Sequence, residues 1–182
     1  MLALKTLARR AAHSLRLTPM HRVLRHLRER GIDPGNLAAL EVFGCDGTHH
    51  TQDLASAVKA LEIWEIGAYF GPILRNRFPD ARVKITDSYQ EITRTRRKYG
   101  LVVVDNSAAA AAHYEHFDLF PAIFGVLTDP AAMILNVMPS VPRDDPQWLA
   151  ERQRFYGAED GGQISLEQIE RAYRRWVSAR GW

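Results

Sequence analysis

Leu37-Ala-Ala-Leu-Glu-Val-Phe-Gly-Cys-Asp-Gly47 is the stretch whose reading decides the fold. It begins as a short apolar strand, predicted over Leu37 to Phe43, and turns sharply at Gly44 to Gly47. A segment able to form a helix, Thr51 to Ala60, follows. Strand, tight glycine turn and helix is the layout of a nucleotide-binding first crossover. Glycine lets a ligand approach the backbone closely, and the N-terminus of the next helix offers free N–H groups. Glu41 interrupts the apolar strand. A carboxylate on a buried parallel strand is costly unless donors reach it.

Downstream the same alternation repeats. Leu61 to Ile66 reads as a second strand and carries Glu65 near its end. Tyr69, Phe70, Ile73, Leu74 and Phe78 then form an apolar face, with a regular helix from about Pro72. Arg82 to Thr86 is a third strand, with Asp87 at its end. Ser88-Tyr-Gln-Glu91 reads as a capping box that opens a helix from Tyr89 to Lys98. Leu101 to Val104 is a buried parallel strand running into Asp105-Asn106. A small-residue loop, Ser107 to Ala112, leads to a helix with Phe120, Ile123, Phe124 and Leu127 on one face. Asp129-Pro130 reads as a turn, and Ala132 to Met138 as a fifth strand. Short apolar strands alternating with helices predict an α/β fold: a doubly wound, mainly parallel five-stranded sheet with helices on both faces.

Both ends of the chain add helices. Leu4, Leu7, Ala8, Ala11 and Leu15 stripe a basic amphipathic helix, and Thr18-Pro19 caps a second one that stops at Gly31. Lys5, Arg9, Arg10, Arg16, Arg22, Arg25, Arg28 and Arg30 against Glu29 give residues 1–30 a charge of +7. The total is +3, so the remainder carries −4. Three readings of this arm stand: helices packed on the domain, a peripheral membrane or anionic contact, or an arginine-rich targeting segment. At the other end Asp145-Pro146 caps a helix to about Phe155, and Ser165-Leu-Glu-Gln168 boxes a last one. Residues 1–31 are read as a basic helical arm, 32–140 as the core and 141–182 as a C-terminal helical extension.

Composition bounds the rest. The chain has 182 residues, 46% hydrophobic and 25% charged, which fits one domain with small additions. No apolar run is long enough to span a membrane. Cys45 is the only cysteine, so no internal disulfide or zinc–cysteine cluster can form, consistent with a reducing, cytoplasmic setting. Cys45 itself reads as a small packed residue rather than a nucleophile.

The strand ends carry the chemistry. Ligands in such sheets bind beyond the carboxyl ends of the strands, and here Glu65, Asp87 and Asp105 stand at three of them. On these residues the chain resembles the class I S-adenosylmethionine-dependent methyltransferases. Glu41-Val-Phe-Gly-Cys-Asp-Gly47 is similar to the family's first motif, an acid followed by a glycine-rich turn. The resemblance implies strand order 3-2-1-4-5 and S-adenosylmethionine as cofactor. It implies cofactor contacts from Glu41, Phe43, Gly44, Asp46, Gly47, Glu65, Ile66, Asp87, Ser88 and Asp105. Glu65 would hold the ribose hydroxyls and Asp87 the adenine amino group. Asp105 and Asn106, with His113 and His116, would face the acceptor. The family places glycine two, four and six positions after the acid; here these are Phe43, Cys45 and Gly47. Phe43 implies either a hindered cofactor approach or a different loop path. The family's closing hairpin has no counterpart after Met138. The fifth strand is then an edge, expected to be covered by the C-terminal helices or by a partner subunit in a homodimer.

The expected function is methyl transfer to a small-molecule or surface-presented acceptor. The alternatives are a methyltransferase-like binding or scaffold protein without activity, and a nucleic-acid modifying protein using the basic arm. The body's charge of −4 gives no strong nucleic-acid signal. A nicotinamide fingerprint needs three glycines, and only Gly44 and Gly47 are present. Candidate bases are His49, His50, His113, Glu115, His116 and Asp105. Their spacing is not that of a metal site.

Overall fold

A computed structural model describes residues 18–104 and 114–181. Along it lie α1 (Pro19–Glu29), β1 (Ala38–Val42), α2 (Thr51–Ala55), β2 (Ala60–Glu65), α3 (Phe70–Arg77) and β3 (Arg82–Ile85). Then follow α4 (Ser88–Arg94), β4 (Tyr99–Val104), α5 (Phe120–Ile123), β5 (Leu127–Leu135), α6 (Pro146–Tyr156) and α7 (Leu166–Ser178). The five strands form one parallel sheet in the order β3-β2-β1-β4-β5, the doubly wound arrangement the sequence predicts. The basic helix over residues 2–16, the loop Ser107–Ala112, Asp105, Asn106, His113 and Trp182 fall outside the described residues.

Side chains alternate across each strand, and this sorts the core into two layers. Leu40, Val42, Trp64, Val102 and Val104 point to one face, where α4, α5 and the C-terminal helices cover them with Ile92, Phe120, Phe155 and Ala172. Ala39, Leu61, Ile63, Leu101 and Val103 point to the other, against Met20 and Leu24 of α1, Leu54 of α2 and Leu74 of α3. Helix α1 is therefore a layer of the core. Its start is as the sequence implies: the Thr18 hydroxyl accepts from the His21 N–H, Pro19 opens the helix, and Gly31 follows its end at φ +82°.

The C-terminal segment is fastened by one buried cation. Arg152 donates from Nε to the Gly161 carbonyl at 2.6 Å and from Nη2 to the Met138 carbonyl at 2.6 Å. Its Nη1 donates to Glu115, and both side chains are fully buried. Glu115 also accepts from Trp148 Nε1 at 3.1 Å and from the Tyr156 hydroxyl at 3.5 Å. Burial pushes the Glu115 carboxyl above the usual range, while Arg152 and the other donors pull it back. Trp148 stacks on Tyr114, and Trp176 lies over Phe155, so these two tryptophans close the layer.

Several boundaries differ from expectation, each for a local reason. Asp129-Pro130 is not a turn but lies within β5, where Tyr99 faces Leu127 and Leu101 faces Ala132. Proline cannot donate to a ladder, and this irregularity on an outer strand tolerates it. The helix expected through Leu127 stops at Ile123, and a 3-10 turn, Phe124–Val126, feeds straight into β5. Helix α2 ends at Ala55, short of Ala60. Helix α4 is capped by Asp87 rather than Ser88, because the Asp87 carboxylate accepts from the Tyr89 N–H. Among the described residues no strand follows β5, and an isolated bridge, Ser140 to Gln163, takes the place of a hairpin. Met133 and Leu135 pack against the C-terminal layer, yet along its edge β5 pairs only with β4 among the described residues.

Removing Arg152 would leave Glu115 buried without its cation. Arg152→Met is expected to cost about 3–5 kcal/mol in urea unfolding. Arg152→Met with Glu115→Leu should recover part of that loss.

Candidate functional site

Register brings the strand ends to one level. Val42 faces both Trp64 and Val104, and Glu65 faces Ile85. The turn after β1 is tied to the end of β2 twice over. Phe43 and Gly44 both donate N–H to the Trp64 carbonyl, at 3.0 and 3.1 Å. The Glu65 carboxylate then accepts from the Cys45 N–H on Oε2 and from the Gly67 N–H on Oε1, both at 2.7 Å. Glu65 thus clamps the first turn to the loop after β2. Each oxygen keeps a second acceptor direction, so the clamp does not exhaust the carboxylate.

The turn keeps the backbone that glycine favours without having the glycines. Phe43, Cys45 and Gly47 have φ of 67°, 49° and 72°. These are the second, fourth and sixth positions after Glu41, where the resemblance implies glycine. Holding a side-chain residue there costs roughly 1–2 kcal/mol. Gly44 is required for a different reason: a Cβ would lie 2.3 Å from Ile63 Cγ2. The Phe43 ring packs against Tyr89, with centroids 5.9 Å apart.

The other expected residues divide by position. Glu41 is buried under the turn and accepts from the Thr51 hydroxyl at 3.0 Å, so it braces the start of α2. Asp46 accepts from the Thr48 N–H at 3.0 Å and the Thr48 hydroxyl at 2.6 Å. Partial burial raises its carboxyl, but these bonds and the nearby Arg77 outweigh that and hold it below the usual range. Asp87 accepts from the Tyr89 N–H at 2.9 Å and from Gln90 Nε2 at 3.0 Å as a helix cap, with Ser88 buried in the first turn. Ile66 is 59% exposed and Tyr69 77% exposed. Tyr69 is expected in the core, but it sits in the turn ahead of α3, with its ring exposed and edge-on to Phe70. The structure therefore groups the Phe43–Gly47 turn, Glu65 and Ile66, and reaches Asp87–Tyr89 through the Phe43–Tyr89 contact.

Three expectations are corrected. His116 is not a base facing a ligand. It is fully buried, stacks on Tyr173 with Nε2 2.5 Å from the Tyr173 hydroxyl, and is lowered by burial to about 4. Glu115 is committed to Arg152. Cys45 is exposed, not packed, because its positive φ turns it outward. Partial loss of solvent around the turn, with Asp46 and Glu65 nearby, still raises the thiol above its ordinary value and makes it a poor nucleophile.

One concavity was not legible in the sequence. Met20 and Val23 of α1, His50, Val104, Leu135 and Asn136 line a cavity of about 300 Å³ at the carboxyl ends of β4 and β5. Its walls are mostly apolar, with His50 and Asn136 as polar members. Among the described residues no group of three acids, histidines or cysteines could hold a metal.

No protein-family model matches this sequence, and no curated protein matches it. Solved structures do. DesVI from Streptomyces venezuelae superposes with a TM-score of 0.55 at 19% identity, over 72% of this chain and 53% of that one. The sugar N-methyltransferase KedS8 from a Streptoalloteichus species gives 0.55 at 19%, over 69% and 49%. An S-adenosylmethionine-dependent methyltransferase from Clostridium acetobutylicum gives 0.51 at 15%, over 63% and 47%. The chain spans about half the length of these structures. It has the class I S-adenosylmethionine-dependent methyltransferase fold.

Relief of backbone strain at Cys45 is measurable. Cys45→Gly should raise the unfolding free energy by about 1 kcal/mol, net of added chain entropy. Gly44→Ala should lower it by about 2 kcal/mol, since the new methyl meets buried Ile63.

His116 sets a pH response. The unfolded chain takes up its proton near the ordinary value of about 6.5, the folded chain only near 4, so acid favours unfolding across that window. Glu115 opposes this, since its raised carboxyl is protonated first in the folded state. His116→Phe isolates the histidine. Between pH 6.5 and 4 the wild-type unfolding free energy should fall more steeply than the variant's, by up to about 1.4 kcal/mol per pH unit.

Proposed function

We propose that the chain binds S-adenosylmethionine over the Phe43–Gly47 turn and transfers its methyl group to a small-molecule acceptor. The observation that carries this is the turn itself. Its three positive φ values fall where a glycine-rich nucleotide turn has them, and Glu65 holds it from the end of β2. The fold, shared with methyltransferases of low identity, supports the same reading.

The residues present fit the cofactor. The free acceptor directions on Glu65 suit a ribose diol, since a carboxylate only accepts. Exposed Ile66 offers an apolar surface for the base. Bound there, the cofactor supplies a methyl carbon activated by sulfonium. The protein's part is to align it with the acceptor and exclude water. The cavity between α1 and the ends of β4 and β5 would take the acceptor, its apolar body on Val23 and Leu135 and a polar group at His50 or Asn136. His50 also stands where a base would remove an acceptor proton.

A second reading rests on Phe43. Its ring packed against Tyr89 occupies space beside the turn, which suits a methyltransferase-like protein that binds a nucleoside without transferring a methyl group.

Calorimetric titration of S-adenosylmethionine and S-adenosylhomocysteine tests both. Wild type should bind, and Ile66→Asp and Glu65→Gln should each weaken binding by about 10- to 100-fold, the range of a lost contact to a charged or buried group. Ile66 is exposed, so that variant leaves the fold intact. No heat at millimolar ligand would sink the proposal. Binding without transfer to a panel of amines, phenols and amino sugars would leave only the second reading.

A further inference from the structure

Nothing in the proposed cofactor site accounts for the outer face of α1. Arg22, Arg25 and Arg28 stand three residues apart on it and form one exposed stripe. With His21, Leu24 and Ser56 they line a cavity of about 310 Å³ between α1 and the turn after α2. The floor is apolar, since Leu24 is buried, and the wall is cationic.

The carboxylates nearby do not neutralise it. Arg25 pairs with Glu29 at 3.8 Å and Arg28 with Asp33 at 3.6 Å, with both partners of each pair at least 50% exposed. Exposed pairs of this kind contribute little and open readily. Arg22 makes no ion pair among the described residues. Asp53 is buried and faces inward to Thr18 and His21, 3.5 Å from His21 Nε2. The positive sign continues upstream in the sequence, where residues 1–17 include Lys5, Arg9, Arg10 and Arg16 and no Asp or Glu. The −4 carried by the rest of the chain makes this the place where an anion is drawn.

We propose that this cavity binds a phosphate group. Guanidinium forks match phosphate oxygens in pairs, and here three arginines of one helix line a concave site rather than a flat one. The cavity is large enough for a phosphate and part of the body that bears it. The phosphate belongs either to a soluble phosphoester or to a phospholipid head group. The site lies apart from the Phe43–Gly47 turn and does not depend on methyl transfer.

The test uses the full chain and two probes at constant ionic strength. Sodium phosphate is titrated by calorimetry, with sodium chloride as the control. Vesicles of phosphatidylcholine with phosphatidic acid are co-sedimented with the protein, against phosphatidylcholine alone. The comparison is the triple variant Arg22→Ala, Arg25→Ala, Arg28→Ala. These side chains are exposed, and an unchanged melting curve confirms the fold. Phosphate binding weakened at least tenfold in the variant supports the site. If sedimentation also needs the arginines, the source is a lipid head group; if only soluble phosphate binding needs them, it is a soluble phosphoester. No binding of either probe, or equal binding by the variant, overturns the proposal.

Discussion

A carboxylate held between two backbone amides organises the carboxyl end of the sheet. Glu65 receives the Cys45 N–H and the Gly67 N–H on separate oxygens, at equal distance. Charge-assisted bonds of this kind are the strong ones, more so in a half-dry site. They hold the turn after β1 where it would otherwise relax. Phe43 and Cys45 both sit in a backbone region that side chains disfavour. The strain at those positions persists only if the surroundings over-determine it. The Glu65 clamp, the two amides on the Trp64 carbonyl and the tight packing at Gly44 together do so.

A second constraint closes the other side. Where the related pattern has a final hairpin, this chain returns over the sheet as two helices, fastened by Arg152. One guanidinium joins the Met138 and Gly161 carbonyls and the Glu115 carboxylate. This ties the segment after β4 to the segment after β5. The segments that follow these two strands are thus set by one buried pair. Removing a partner would disturb both together.

The sheet was legible because its strands are apolar runs separated by turn residues. Leu101 to Val104 reads as a buried strand, and the strand order is the one the family resemblance implies. Glu65 was legible from its place at a strand end. Its amide partners were not, because a contact between residues 45 and 65 leaves no local pattern. His113-Tyr-Glu-His116 misled for a related reason. Polar residues after a strand suggest a site, but here Glu115 meets Arg152 and His116 enters an aromatic cluster of Phe117, Phe120, Phe155 and Tyr173. Both partners lie far along the chain. Tyr69 failed differently: helical spacing placed it in a core stripe, but the helix begins one residue later. The two cavities beside α1 join residues from separate elements and carry no sequence signature.

The central claim is that the Phe43–Gly47 turn, held by Glu65, is a nucleoside site. Amide NMR during titration with S-adenosylhomocysteine tests it most directly. Shifts that saturate together at Phe43 to Gly47 and at Glu65 to Gly67, with smaller ones at Asp87 to Tyr89, are the expected result. Saturable shifts confined to another part of the fold, with these amides unmoved, would contradict it.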